Sequence, residues 1–189
     1  KVLSAIRPIP LSDTLRGQYR DYCTTPDIGP CSQTATYGAL KLFVDNWRWQ
    51  GVPFYLRTGK RLKTKASEAA IQFRPVPHQS FPKTAARVRQ PNRLIIHIQP
   101  EEGILLRFQA KQPGPTLHLS PVDMHFSYQE TFRSRSPQAY ETLLADVMSG
   151  DATLFMRADQ VEASWSVLMP ILNVWEKSKP ADFPNYQSD

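Results

Sequence analysis

Apolar and polar side chains alternate with a period of two through the middle of the chain. Ala69, Ile71 and Phe73 fall on one side and Ala70, Gln72 and Arg74 on the other; Ile104, Leu106 and Phe108 oppose Leu105, Arg107 and Gln109; Met124, Phe126 and Tyr128 oppose His125, Ser127 and Gln129. Successive side chains of an extended chain point to opposite faces, so each segment predicts a strand with one face for a core and one for water. In RLIIHIQP, residues 93–100, Leu94, Ile95, Ile96 and Ile98 leave few polar positions and predict a more buried strand. Pro75, Pro77, Pro82 and Pro91 place a loop before it, where their missing N–H donors do least harm. Upstream, YGALKLFVDNWRW (37–49) and VPFYLRTG (52–59) are rich in apolar and aromatic residues and separated by Gln50-Gly51, which predicts a twisted pair of strands. A short strand around Leu15 to Tyr22 precedes an irregular loop carrying Pro26, Gly29 and Pro30.

After Arg133 the period changes to 3.6. Ser136-Pro137 supplies a helix N-cap followed by proline at the first helical position, and Tyr140, Leu143, Leu144, Val147 and Met148 form one apolar stripe that stops at Gly150. A second helix starting near Asp159 puts Val161, Trp165, Leu168 and Leu172 on one side, with a kink expected at Pro170. Strands first and helices last predict an α+β fold: a large, mostly antiparallel sheet with helices packed on one face. The 189 residues suffice for one core, and a single domain over 1–189 is expected, without internal repeats.

Charge narrows the partners. The net charge of +6 favours anions, polymeric or small. In RTGKRLKTK, residues 57–65, five of nine side chains are cationic: Arg57, Lys60, Arg61, Lys63 and Lys65. Such a loop, with Gly59 in the turn, can aim several cations at one compact anion; it can equally be a hydrated basic turn. Trp47, Trp49, Phe54 and Tyr55 just upstream would suit a stacking platform for nucleic acid. Their neighbours Leu42, Val44 and Val52 assign most of them to the core, and the remaining positive charge is scattered among acids, so no nucleic acid is expected.

Other chemistry is sparse. His78, His97, His118 and His125 are far apart, no Ser or Cys stands in a nucleophile context, and Glu101-Glu102 follow a turn. Cys23 and Cys31 have no partner at metal-ligand spacing, so two free thiols and no metal are expected. No run is apolar enough for a bilayer and no secretory signal is present, so neither membrane nor export is expected and the cytoplasm is the default. No GxGxxG or GxxxxGK cradle occurs, so a dinucleotide enzyme would keep that cradle elsewhere. Both ends read as cut from something longer.

The motifs RGQYRDY, YGALKLFVDNWRWQGVPFYLRTGKRL, EAAIQF, NRLIIHIQPEEGI and AYETLLADVMSGDATLFMRADQVEASW resemble the C-terminal domain of bacterial glucose-6-phosphate dehydrogenases, over nearly the whole chain. The resemblance implies an oxidoreductase of the pentose phosphate pathway that oxidises glucose 6-phosphate to 6-phosphoglucono-lactone and passes the hydride to NADP. In that family an N-terminal domain carries the coenzyme loop and a His-Tyr-Leu-Gly-Lys segment with the catalytic base. Neither occurs here, so no catalytic residue is assigned within 1–189 and the chain alone is expected to be inactive. The tail also stops where family members continue into a Gly-Ser-Trp-Gly-Pro-like segment.

By the same resemblance Lys60 matches the lysine that reaches the sugar phosphate, Lys65 a second basic position on it, and Gln99 a glutamine that approaches the substrate. A phosphate monoester is nearly dianionic at neutral pH and one cation would leave it under-compensated; a neutral amide can hold a sugar hydroxyl as donor and acceptor. Arg57, Arg61 and Lys63 would raise the local potential. Where some animal members bind a second, structural NADP through a lysine and an arginine, this chain has Ala66 and His97, although Arg57 matches one ligand; no structural NADP is expected. The resemblance also implies a homodimer through the sheet. The rival is a basic nucleic-acid-binding or oligomerisation module without an enzymatic role.

Overall fold

Strands precede helices along the chain, as the change of period predicts. The computed structural model describes residues 1–30, 32–75, 90–133 and 139–188. The strands are β1 (Thr14–Gly17), β2 (Tyr37–Phe43), β3 (Pro53–Gly59), β4 (Ser67–Gln72), β5 (Arg93–Gln99), β6 (Gly103–Lys111) and β7 (Leu119–Ser127). The helices are α1 (Tyr128–Phe132), α2 (Ala139–Ser149) and α3 (Ala158–Lys177). Every pairing of these strands is antiparallel, which confirms the α+β class, and the strands divide between two sheets, β1-β2-β3 and β4-β5-β6-β7. Contacts cluster in two units, Lys1–Lys63 with Gly150–Asp189, and Thr64–Ser149. Among the expected features, Cys31, Pro77, His78, Pro82 and the Ser136-Pro137 cap lie outside the described residues.

In the first unit the antiparallel register places Arg16 beside Gly38 and Thr58, and Leu42 beside Phe54, on one face of the sheet. Leu42, Val44, Ile171 and Tyr19 form its buried core. Gln18, only 1% exposed, is the polar exception; its amide donates to the carbonyls of Ser32 at 2.7 Å and Thr34 at 3.0 Å, which removes the penalty of burying it. A Cβ on Gly38 would meet Trp175 of α3 at 3.7 Å. The Arg16 guanidinium ties the same helix down: it donates to the carbonyls of Trp175 and Ser178 and to Ser178 Oγ, and lies over the Trp175 and Phe183 rings.

Three expectations fail here. β2 stops at Phe43 instead of running to Trp49, because Asn46 folds the chain back. Its Oδ1 accepts from the Trp49 N–H at 2.9 Å, its carbonyl accepts from Gln50 at 2.9 Å, and Gly51 takes φ 74°, a left-handed conformation open to glycine. Local side-chain-to-backbone bonding outcompetes the β propensity of the two tryptophans. As a result Trp47 is exposed and not core; Tyr55 is exposed too, on the face of β3 opposite Phe54, while Trp49 and Phe54 are half-buried, edge to face at 5.3 Å. β1 is also shorter than expected, since Tyr22–Thr24 forms a 3-10 turn.

In the second unit β4 to β7 pair in sequence order, with Leu94 opposite Ile71 and Leu106, and Leu106 opposite Met124. Ile71, Ile96, Ile104, Leu106, Val122 and Met124 therefore share one face, and Gln72, Arg93, Arg107, Asp123 and His125 the other. β5 is less buried than predicted: Ile96 and Ile98 are exposed, because burial requires a layer over the sheet and neither described helix of the same unit, α1 or α2, packs extensively on β5. The alternation that ran to Tyr128 ends one residue earlier, as Ser127 Oγ accepts from the Glu130 N–H at 3.3 Å and caps α1. That Ser-x-x-Glu signature was readable. α2 ends at Ser149 with Gly150 at φ 74°, the stop that the sequence predicts.

Arg107 grips Asp123 across the polar face with two parallel bonds of 2.7 and 2.6 Å. The hydrogen bond from Arg107 holds the Asp123 carboxyl below its ordinary range; Arg7 does the same for Asp45, and the Thr153 hydroxyl for Asp151. A carboxyl depressed by folding contributes stability above its unfolded pKa and loses it as pH falls through the folded value. Thermal unfolding should therefore show a Tm that falls on acidification below about pH 4, the unfolded aspartate range. Asp123→Asn should flatten that decline, and an unchanged acid slope would remove Asp123 from the account.

Candidate anion-binding site

The antiparallel ladder between β2 and β3 ends on the pair Tyr37 and Gly59, and Lys60 extends it by one bond, its N–H donating to the Thr36 carbonyl at 2.9 Å. Gly59 is required by proximity: a Cβ there would lie 2.8 Å from Cδ2 of Tyr37. Beyond Lys60, Arg61 takes φ 51° and turns the chain. The Lys60 carbonyl accepts from the Tyr186 hydroxyl at 3.0 Å. Lys60 thus sits on backbone held from both sides. It borders a cleft of about 760 Å³ with Arg16, Tyr22, Thr36, Tyr37 and Trp175.

Arg57, Lys60, Arg61, Lys63 and Lys65 are all exposed, and among the described residues none of them pairs with a carboxylate. Five uncompensated charges within nine residues leave a strong local positive potential. They do not all serve one face. Arg57 pairs with Ala39 on the side of the sheet opposite Gly38 and Thr58, and it is not among the residues bordering the Lys60 cleft.

Lys65 and Gln99 belong to the second unit. Lys65 is exposed just ahead of β4; Gln99 closes β5 opposite Ser67. Gln99 borders a cleft of about 210 Å³ with Ala66, His97, Glu102, His125 and Ser127. His97 Nδ1 lies 3.7 Å from Glu68 and His125 Nδ1 3.9 Å from Glu130. Ala66 and His97, the two positions at which the resemblance places cations for a second NADP, thus border one cleft. Among the described residues no three His, Cys, Asp or Glu side chains converge as a metal site would require. Thr36 and Tyr186 were missed by the sequence reading, because their contacts to Lys60 join positions remote in the chain and use the backbone carbonyl and N–H.

Comparison with known proteins settles the family. A sequence profile described as glucose-6-phosphate dehydrogenase, C-terminal domain, matches residues 1–189. The chain belongs to this family. Among its relatives, glucose-6-phosphate 1-dehydrogenase of Mycolicibacterium smegmatis is 45% identical over 199 aligned residues, taking in 97% of this chain and 40% of that protein. The namesake of Chlamydia trachomatis is 40% identical, over 100% of this chain and 45% of that protein. A solved glucose-6-phosphate dehydrogenase in complex with its substrate glucose-6-phosphate superposes with a TM-score of 0.83 at 33% identity, covering 98% of this chain and 39% of that one. The chain therefore spans about two fifths of the length of the glucose-6-phosphate dehydrogenases it matches. None of the described helices is long and apolar enough to cross a membrane.

Proposed function

We propose that residues 1–189 act as the substrate-side and dimerisation part of a cytoplasmic enzyme that oxidises glucose 6-phosphate at C1 to 6-phosphoglucono-lactone with NADP. The observation that carries this reading is the Lys60 turn: an uncompensated cation fixed by backbone bonds on both sides, within a chain of this family. Lys60 and Lys65 bind the phosphate of the sugar. Gln99 offers its amide to a sugar hydroxyl. Together these groups orient the sugar and neutralise its charge; they move no proton.

NADP accepts the hydride. The described strands pair only antiparallel and the sequence has no glycine-rich loop, so they do not build the parallel βαβ cradle that holds a dinucleotide. The coenzyme and the general base belong, in this reading, to a part of the enzyme outside these residues. Ala66 and His97 leave the phosphates of a second, structural NADP under-compensated, and none is assigned. The partner is a second copy of the chain; neither nucleic acid nor membrane has a role.

The test is direct. The full-length protein carrying this chain should reduce NADP when given glucose 6-phosphate, followed as NADPH absorbance, while the 189-residue chain alone should not. Failure of the full-length protein to turn over glucose 6-phosphate would overturn the reading.

A further inference from the structure

The C-terminal segment returns to the Lys60 turn. Asn185 exchanges two bonds with the backbone of buried Gln18: Gln18 N–H donates to Asn185 Oδ1 at 3.0 Å, and Asn185 N–H to the Gln18 carbonyl at 3.0 Å. The next residue, Tyr186, pairs with Tyr19 in a parallel bridge, and Arg20 N–H donates to its carbonyl at 3.0 Å. This anchoring delivers the Tyr186 ring edge-on to Tyr19 and Tyr37, at 6.3 and 6.0 Å between centroids. Its hydroxyl arrives 2.8 Å from Thr36 Oγ1 and 3.0 Å from the Lys60 carbonyl.

The donors and acceptors form one connected cluster. Tyr19 N–H donates to Thr36 Oγ1 at 3.0 Å, the Thr36 and Tyr186 hydroxyls lie 2.8 Å apart and either can donate to the other, and the Tyr186 hydroxyl has two carbonyl acceptors in reach, Lys60 at 3.0 Å and Thr36 at 3.2 Å. The Lys60 N–H completes the loop at the Thr36 carbonyl, 2.9 Å away. Both backbone groups of Lys60 are thereby tied to Thr36 and Tyr186. A residue whose own backbone is held on both sides loses less freedom when its side chain grips an anion, so pre-organisation is converted into affinity.

We propose that Tyr186 is a positioning residue for Lys60: through its hydroxyl the C-terminal segment holds the Lys60 turn in the geometry that binds the phosphate of the substrate. The proposal rests on the reading of Lys60 given above. It predicts a role for the phenol oxygen itself, separate from the packing of the ring.

The experiment uses the full-length enzyme. Tyr186→Phe keeps the ring and removes the hydroxyl; loss of one hydrogen bond should raise the KM for glucose 6-phosphate about two- to tenfold. The kcat should stay within about twofold and the KM for NADP unchanged, since neither depends on phosphate capture. The inhibition constant of inorganic phosphate should rise in parallel. Thr36→Val, which breaks the same cluster from the other end, should reproduce the effect, and the double variant should be no worse than the poorer single one. A role in packing alone leaves Tyr186→Phe at the wild-type KM, and that result overturns the inference, as does a fall in kcat with KM unchanged. Lys60→Ala separates the levels. If it raises KM while Tyr186→Phe and Thr36→Val do not, only the positioning role fails; if Lys60→Ala leaves KM unchanged, the phosphate reading fails and this inference with it.

Discussion

Lys60→Ala in the full-length enzyme should lower kcat/KM for glucose 6-phosphate by about 10- to 150-fold, the equivalent of one charge-assisted bond of roughly 1.5–3 kcal/mol. The size follows from what remains after the substitution. A phosphate monoester carries almost two negative charges, so with two ammonium groups on it, as proposed, removing one leaves a charge without its counterion. Lys65→Ala should act in the same direction and by a similar factor. Neither should alter the KM for NADP. The deficit should shrink as salt rises, because counterions screen the surrounding Arg57, Arg61 and Lys63 and reduce what the site gains from its field. Steady-state kinetics at two ionic strengths check all of this. Wild-type kinetics in both single variants would show that the run of cations is a hydrated turn.

The same lysine shows how far the sequence could be read. The charge run allows an anion site or a hydrated turn, and the family resemblance is what proposes Lys60 as the phosphate ligand, with Gly59 in its turn. What they could not show is why that turn is firm. The clamp joins Thr36, Lys60 and Tyr186, with 150 residues between its outer members, and works through a hydroxyl and backbone groups that leave no periodic trace. In the strands the phase was legible and the cover was not. Ile104, Leu106 and Phe108 do face the same way as Val122, Met124 and Phe126, as alternation requires. Alternation specifies which face is apolar, whereas burial depends on what lies over it, and on this sheet much of that face is open. The two readable signals that were overlooked are local: Asn46 with Gly51, which ends β2, and Ser127 with Glu130, which turns β7 into α1. In both cases a short polar side chain captured a backbone N–H within three residues, and strand propensity gave way.

That open face carries the last prediction. Ile71, Ile96, Ile98, Ile104, Val122 and Met124 are exposed on one side of the four-stranded sheet, Met124 at 61%. Four strands about 4.8 Å apart and seven residues of about 3.3 Å each make a face on the order of 400 Å². A patch of that size is about the largest that a typical monomer leaves in water, and such patches are often functional. A second copy of the chain is the occupant proposed here, and a two-fold arrangement doubles every contact. Light scattering should accordingly give the full-length protein a dimer mass. Met124→Asp should then be far more disruptive than its single position suggests, because symmetry places two carboxylates in the apolar seam. Each costs several kcal/mol of desolvation without a cationic partner, so together they should weaken association by at least about 10⁴-fold. The variant should run at half the wild-type mass at micromolar concentration, while the charge-neutral Met124→Leu should remain dimeric. A wild-type protein of monomer mass, or a Met124→Asp variant of dimer mass, would place the self-association elsewhere or dispense with it.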